Sequence, residues 1–246
     1  MKNVVLGSLI ALTAATGCTT TATPVDTATV SATWTLRTAD VGTATGHNVS
    51  CPPGFDTAAL YNQEISPTTG ANIGQPFIDL FNCSAGQGSA TELPPGLYQT
   101  WVEIANTNNT SVYAQSLSAD VDVTVANKTF SAEILVDGGY FQLAWNLVGA
   151  TSNNSLTCTQ AGATGGVEAI STDVATSANS ASDVFTCEDH AGVTSGFKAA
   201  TYTISVDALN SQMQAIGTAP AISNRVIASP NKVTDLGTIT IPITGK

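Results

Sequence analysis

Charged residues are scarce in this chain of 246 residues, and basic ones are the scarcest. Asp, Glu, Lys and Arg make up 10% of it, and 7 Lys or Arg stand against 18 Asp or Glu, so the formal net charge is −11. No two basic residues are neighbours in the sequence, whereas a protein that neutralises phosphates needs a basic stripe. We therefore expect no nucleic-acid partner, and the acidity favours a soluble monomer.

Residues that usually carry catalysis are also few. His47 and His190 are the only imidazoles, and Asp189-His190 with Ser195 nearby lacks the GxSxG turn of a hydrolase. Gly86-Gln87-Gly88 lacks the lysine and the helix of a phosphate-binding loop. The acids are scattered singly along the predicted strands, without the pairing that glycoside cleavage requires. The sequence therefore predicts a protein that is not an enzyme.

The sequence also lacks the spacing of a metal centre. No CxxC pair exists, so the cysteines are not spaced as zinc ligands. A calcium site in the loops that contain Asp79, Asp183 or the asparagines Asn106, Asn108 and Asn109 is an alternative. The simpler interpretation is that Asp79 and Asp183 each hydrogen-bond a turn just before the following cysteine. We predict no metal and no cofactor.

Glu, Lys and Arg, which favour helices, are few, and the apolar residues alternate with polar ones. Val30, Ala32, Trp34 and Leu36 share one face of an extended chain. The same period of two recurs in the sets Tyr98, Thr100, Val102 and Ile104; Val121, Val123 and Val125; Phe141, Leu143, Trp145 and Leu147; Tyr202, Ile204, Val206 and Ala208; and Ile239, Ile241 and Ile243. Short alternating strands separated by polar loops predict an all-β chain folded as antiparallel β-sandwiches.

The first residues have the features of a secretory leader. Met1-Lys2-Asn3 is positively charged, and the run from Val4 to Ala15 is apolar but too short to span a bilayer. The small residues Ala15-Thr16-Gly17 then lead into Cys18. This stretch resembles the lipobox of bacterial lipoproteins, with Ala15 in place of the usual Leu. The resemblance implies that residues 1–17 are a lipoprotein signal peptide and that Cys18 carries the lipid.

The count of five cysteines agrees with lipidation, because an odd thiol in an exported protein needs an explanation. If Cys18 is acylated, four cysteines remain to pair, and the acyl chains, at about 0.8 kcal/mol per buried methylene, hold the protein on a lipid bilayer. Residues 18–29 are rich in Thr and Ala and are predicted to form a flexible tether. Thr19, where sorting rules of enteric bacteria look for Asp, implies the outer membrane. The alternatives are an ordinary signal peptide and a buried amino-terminal helix.

An internal repeat organises the rest of the chain. Trp34-Thr35-Leu36 is echoed by Trp145-Asn146-Leu147, and Cys51 by Cys158. From Asp79 to Lys128 the echo has a constant offset of 104 residues, which pairs Cys83 with Cys187, Tyr98 with Tyr202, and Asn127-Lys128 with Asn231-Lys232. We predict two β-sandwich repeats, 30–136 and 140–246, joined by a turn at Asp137-Gly138-Gly139.

The repeat also predicts the disulfides, because Cys51–Cys83 and Cys158–Cys187 are the simplest of the pairings that keep its symmetry. Such bonds need an oxidising compartment, in agreement with the leader. The stretch from Leu93 to Tyr98 (LPPGLY) resembles a turn of immunoglobulin-like, fibronectin-like and transthyretin-like sandwiches, in which Tyr opens a late strand. In antibody domains the second Cys follows that Tyr, whereas here it precedes it, so the topology of the sandwich stays open.

Trp101 is the strongest candidate for a contact residue. Its counterpart in the second repeat is Ser205, and it lies off the core-facing phase set by Tyr98. An exposed Trp can contact a sugar or a protein, and the alternative is partial packing under a loop. The sequence as a whole predicts a membrane-anchored lipoprotein of the bacterial cell envelope with a non-enzymatic structural or protein-interaction role. A glycan- or peptide-binding surface module is the alternative.

Overall fold

The computed structural model describes residues 26–41 and 44–246, which form β-strands joined by turns and one short helix. The all-β prediction is confirmed. The predicted signal peptide, Cys18 and most of the predicted tether lie outside the described residues. Among the residues described, no helix has the length and apolar character needed to cross a bilayer.

Eight strands make up the first half of the structure, which we call the N-terminal unit. They are β1 Val30–Arg37, β2 Thr57–Ile65, β3 Phe77–Asn82, β4 Gln87–Ser89, β5 Leu97–Ala105, β6 Val112–Gln115, β7 Ala119–Asp122 and β8 Lys128–Leu135. One sheet has the order β4-β1-β8, and the other has the order β3-β2-β5, with β6 and β7 both pairing with β5. The two sheets enclose one core, as expected of a sandwich.

Ten strands and a helix make up the C-terminal unit. They are β9 Gly138–Gly149, β10 Ser155–Leu156, α1 Cys158–Ala161, β11 Gly166–Asp173, β12 Ser180–Phe185, β13 Ala191–Val193, β14 Phe197–Lys198, β15 Thr201–Leu209, β16 Ala215–Thr218, β17 Ile222–Val226 and β18 Lys232–Ile243. β9 pairs with β10, β13, β14 and β18, while β15 pairs with β11, β16 and β17, and β12 extends the sheet beyond β11. A pairing of β16 with β18 joins the two sheets.

The first and last strands of each unit lie side by side and run in the same direction. β1 pairs with β8 from Val30↔Lys128 to Arg37↔Leu135, and β9 pairs with β18 from Gly139↔Lys232 to Gly149↔Ile243. The remaining strand pairs of both units are antiparallel, as predicted. Each unit is therefore an antiparallel sandwich with a single parallel pair between the strands that begin and end it.

Each unit has its own hydrophobic core, and the predicted alternation supplies most of it. The buried sets include Val30, Ala32, Trp34 and Leu36 in the N-terminal unit, and Phe141, Leu143, Trp145 and Leu147 in the C-terminal unit. Val125 is an exception, because it is exposed rather than buried. β7 ends at Asp122, whose carboxylate accepts hydrogen bonds from Thr124 and turns the chain before Val125 is reached.

Both predicted disulfides are present, Cys51–Cys83 and Cys158–Cys187. The second cysteine of each begins a single 3₁₀ turn, and its carbonyl oxygen accepts a hydrogen bond from the buried tryptophan of the first strand. Trp34 Nε1 lies 2.7 Å from the oxygen of Cys83, and Trp145 Nε1 lies 3.1 Å from that of Cys187. The tryptophan, the disulfide and the turn thus form one repeated structural element in the two units.

The tyrosines that open β5 and β15 also repeat their contacts. The Tyr98 hydroxyl donates to the carbonyl oxygen of Pro94, and the Tyr202 hydroxyl donates to that of Lys198, each at 2.9 Å. This contact, from the Tyr to a backbone oxygen four residues upstream, is the one expected for the turn that LPPGLY resembles. It persists in the second unit although the Pro-Pro-Gly sequence does not.

The joint between the units is shorter than the predicted turn. β8 ends at Leu135 and β9 begins at Gly138, so Gly138 and Gly139 are strand residues. A Cβ atom at Gly139 would lie 2.1 Å from the carbonyl oxygen of Lys232, which explains why this strand position has no side chain. Leu135, Ala39 and Tyr140 pack together at the joint as a small third cluster.

Asn231, the residue before β18, fastens this joint. Its Oδ1 accepts a hydrogen bond from the backbone N–H of Leu135 at 2.7 Å, and its Nδ2 donates to the carbonyl oxygen of Gln115. The side chain is buried, and its backbone is left-handed at φ 49°. Asn127, its counterpart in the repeat, accepts from the N–H of Thr29 at 2.9 Å, at the entry to β1. Equivalent asparagines thus hold the chain near the start of each unit.

Candidate functional site

The outward face of the β3-β2-β5 sheet carries the most distinctive surface of the described structure. Tyr98, Thr100, Val102 and Ile104 point into the core, so the residues between them on β5 point outward. Trp101 is one of these, and the residue paired with it on the adjacent strand β2 is Tyr61. Their rings stack with centroids 4.8 Å apart and planes 8° from parallel.

Two exposed aliphatic residues on the edge strand β3 extend the aromatic pair. Ile78 lies opposite Tyr61, and the next outward position holds Leu80, opposite Ala59. Ile78 is 46% exposed and Leu80 is 53% exposed. We call Tyr61, Ile78, Leu80 and Trp101 the outer patch. A contiguous group of aromatic and aliphatic side chains on a sheet surface is typical of a contact site.

Two loops hold the outer patch in place. The amide Nδ2 of Asn109, in the β5–β6 turn, donates to the Tyr61 hydroxyl at 2.9 Å. Ala59, the preceding outward position of β2, has no exposed surface. On the other side, Nε2 of Gln63 donates to the carbonyl oxygens of Glu64 and Ile73, which folds the β2–β3 loop over Gln63. The row formed by Ile78, Tyr61 and Trp101 therefore lies between two fixed loops.

Glu103 adds a charge at the margin of the outer patch. Its Oε1 accepts a hydrogen bond from Trp101 Nε1 at 3.1 Å, which fixes the orientation of the indole. Burial raises the pKa of the Tyr61 hydroxyl, the hydrogen bond from Asn109 lowers it, and the negative charge of Glu103 raises it again. The net pKa lies above the ordinary value, so Tyr61 is a neutral hydroxyl at physiological pH.

The corresponding surface of the C-terminal unit has no aromatic residue at these four positions, which are held by Ile170, Ser182, Val184 and Ser205. Ile170 and Ser205 face each other across β11 and β15, as Tyr61 and Trp101 do across β2 and β5. The constant offset of 104 residues places Ser182 at the position of Ile78 and Val184 at that of Leu80. The two units share a fold and a core, but only the N-terminal unit carries the aromatic row.

The histidines lie outside the strands. His47 Nδ1 is 3.2 Å from the Thr38 hydroxyl. His190 ends the second 3₁₀ turn with a left-handed backbone, in the place that Gly86 takes in the first. Ser195 does not pair with His190, because its hydroxyl donates to Asp183 Oδ2 at 3.2 Å. The structure thus does not bring the residues of the hydrolase-like fragment together.

The acids considered for calcium make internal hydrogen bonds instead. Asp79 accepts from the N–H and hydroxyl of Thr91, and Asp183 accepts from those of Ser195, each pair twelve residues apart. The expectation of a local turn before the cysteine was therefore wrong, because these contacts reach across to the segment after the next strand. Asn106 Oδ1 accepts from the backbone of its own β5–β6 turn. No group of three or more His, Cys, Asp or Glu within the described ranges could hold a metal ion.

Comparisons with known proteins give structural likeness only. No protein-family model matches the chain, and no curated protein matches it. A leucine-rich repeat protein from Bacteroides thetaiotaomicron is similar over 89% of this chain and 27% of its own, at 10% identity and a TM-score of 0.38. GBS52, the minor pilin of Streptococcus agalactiae, is similar over 89% and 98%, at 12% identity and a TM-score of 0.30.

The fimbrial anchor protein Mfa2 from Porphyromonas gingivalis is similar over 78% of this chain and 81% of its own, at 9% identity and a TM-score of 0.28. The chain thus has distant structural similarity to bacterial pilins and fimbrial anchor proteins, and it spans about a quarter of the leucine-rich repeat protein.

Proposed function

We propose that this chain is a non-enzymatic lipoprotein of the bacterial cell envelope that makes a protein contact through the outer patch of its N-terminal unit. The observation that carries the contact is the difference between the repeats. Where the C-terminal unit has Ile170 and Ser205, the N-terminal unit has a stacked Tyr61 and Trp101. Both rings are half-buried on the outward face. Selection for folding alone does not require aromatic residues on the outward face of a sheet, whereas Trp and Tyr supply much of the binding energy at protein interfaces.

The attachment to the membrane is proposed from the cysteine inventory. Cys51, Cys83, Cys158 and Cys187 are consumed in two disulfides, so Cys18 is the one cysteine left over. It follows the lipobox-like Ala15-Thr16-Gly17, and we propose that it carries the acyl chains, with the outer membrane as the destination.

A photo-cross-linking amino acid tests the contact in the living cell. Placed at Leu80, which is exposed and makes no core contact, it is expected to give discrete adducts, while the same amino acid at Val184 is the matched control in the other unit. Adducts at Leu80 that disappear with Ile78→Ser support the proposal. Equal adducts at both positions, or none at Leu80, contradict it.

Glycan binding is the second candidate, and the polar groups around the aromatic pair favour it. Glu103 and Asn109 lie beside the Tyr61 and Trp101 rings, and sugars are bound by aromatic faces flanked by hydrogen-bonding groups. Trp101 is the least buried of the three tryptophans, so its fluorescence reports on this site. Saturable quenching by a chito- or cello-oligosaccharide, absent in Trp101→Ser, would transfer the proposal to this alternative.

A further inference from the structure

The sheet that carries the outer patch has charge of one sign only. Its five strands, β2, β3, β5, β6 and β7, contain Glu64, Asp79, Glu103, Asp120 and Asp122 and not one Lys, Arg or His. The two Lys or Arg of the N-terminal unit, Arg37 and Lys128, lie on β1 and β8 of the opposite sheet.

Three of these acids lie on the outward face with the outer patch. Glu103 follows Trp101 at the next outward position of β5. Asp120 pairs with Gln99 and Asp122 with Leu97, so both point to the same face as Trp101, while Val121 between them is buried. The outer patch thus has an acidic margin along β5 and β7, and no cation lies on these two strands. Hydrogen bonds from Thr124 lower the pKa of Asp122, and the positive charge of Lys128 lowers it further.

Asp120 and Asp122 of the acidic margin, like the aromatic pair of the outer patch, are specific to the N-terminal unit, whereas Glu103 has an acidic counterpart in Asp207. At the offset of 104 residues, Asp120 corresponds to Asn224 and Asp122 to Val226, with Arg225 between them. Two of the three acids are therefore absent from the copy, and a cation is added on the corresponding strand. The aromatic pair and the two acids of β7 are present together in the N-terminal unit and absent together from the C-terminal unit.

We infer that the partner docked on the outer patch is a polypeptide surface in which Lys or Arg side chains flank an apolar or aromatic anchor. This inference rests on the proposed function and adds the chemistry of the partner. The anchor contacts Ile78, Tyr61 and Trp101, and the cations face Glu103, Asp120 and Asp122. Complementary charge around an apolar centre sets the specificity and the rate of association, and it disfavours acidic partners.

Three synthetic peptides of equal length separate the apolar contribution to binding from the charge contribution. Each carries a fluorescent label, and its binding to the full-length chain is measured by anisotropy. One alternates Leu and Lys, one alternates Leu and Glu, and one alternates Ser and Lys. The Leu-Lys peptide is expected to bind at least about tenfold more tightly than either of the others, and to weaken when ionic strength rises from about 0.05 to about 0.5 M.

Variants locate the binding. Neutralising the margin with Glu103→Gln, Asp120→Asn and Asp122→Asn together is expected to weaken binding of the Leu-Lys peptide by about tenfold, because three charge pairs with the peptide are lost at once. Ile78→Ser, which installs the residue of the other repeat, is expected to weaken it similarly. Glu168→Gln on the outward face of β11 is the matched control, and it should leave binding unchanged.

The outcomes are separable. If the Leu-Glu peptide binds as tightly as the Leu-Lys peptide and Ile78→Ser weakens both, the outer patch docks a partner but the inference of a cationic one is wrong. If the Leu-Lys peptide binds the triple variant and Ile78→Ser as tightly as the wild type, binding is a general effect of the net charge, and both proposals are contradicted. If oligosaccharide quenches Trp101 and no peptide binds, the partner is a glycan and the inference is wrong.

Discussion

Replacing Asn231 by Ala is expected to weaken the joint between the two units. The side chain is buried and touches the N-terminal unit at two points, the N–H of Leu135 and the carbonyl oxygen of Gln115. Alanine removes both hydrogen bonds. It also has no polar side chain to compensate for the left-handed backbone, at φ 49°, which asparagine tolerates and most other residues do not.

The cost follows from these contacts. Leu135 is 1% exposed, so its N–H would lose its acceptor away from water, which costs about 1–3 kcal/mol. The left-handed conformation adds about 1 kcal/mol for a residue with a plain Cβ. Together they predict a loss of about 2–4 kcal/mol, concentrated at the joint. Asn127→Ala is the matched control in the other repeat, and it should cost only about 0.5–1 kcal/mol because its bond to Thr29 is exposed to solvent.

Native-state hydrogen exchange measured by NMR reads this cost at a single amide, which matters because two units need not unfold as one. In Asn231→Ala the amide of Leu135 is expected to exchange at least about 30 times faster than in the wild type. Asn231→Asp keeps the acceptor for Leu135 but sets a carboxylate oxygen against the carbonyl oxygen of Gln115, so it should restore only part of the protection. Unchanged protection of Leu135, or an equal loss in Asn127→Ala, would refute the assignment of Asn231 as the residue that fastens the joint.

Three further predictions concern other parts of the chain. Burial raises the pKa of Tyr140 to about 12, so the unfolded chain loses this proton first, and the melting temperature should fall as pH rises from about 10 to 12, less steeply in Tyr140→Phe. Trp145→Phe removes the donor to the carbonyl oxygen of Cys187 and should lower the free energy of unfolding in guanidinium by about 1–3 kcal/mol. Cys18→Ala should move the protein from the detergent phase to the aqueous phase in a partition assay, and retention in the detergent phase would contradict the anchor.

The sequence alone predicted those parts of the fold that depend on local pattern. Alternation places Trp34, Tyr98 and their counterparts in the cores, because a strand turns successive side chains to opposite faces. The repeat supplied the disulfides, because pairing within each copy is the simplest of the pairings that keep its symmetry. The direction in which β1 and β8 pair was not predicted, since parallel and antiparallel strands share the same alternation.

The candidate site was predicted only in part. Trp101 was singled out because its counterpart is Ser205, whereas Ile78 and Leu80 were missed although the same offset pairs them with Ser182 and Val184. Comparison of outward positions between the copies would have found Ile78, whereas Leu80 has an aliphatic counterpart in Val184. Tyr61 lies before the region of constant offset, so its correspondence to Ile170 follows only from the strand register. The contact of Asp79 with Thr91 depends on how the chain returns after β4, which no local pattern specifies.

The parallel pairing of the outermost strands fixes where the backbone enters and leaves each sandwich. Because β1 and β8 run together from Val30 and Lys128 to Arg37 and Leu135, the polypeptide comes in at one pole and goes out at the opposite pole, about 25 Å further on. β9 and β18 repeat this polarity from the joint onward. Tandem copies of such a sandwich therefore lengthen the molecule along the strand direction rather than widen it. For a chain held by its amino-terminal side, each copy carries the next one farther from the point of attachment.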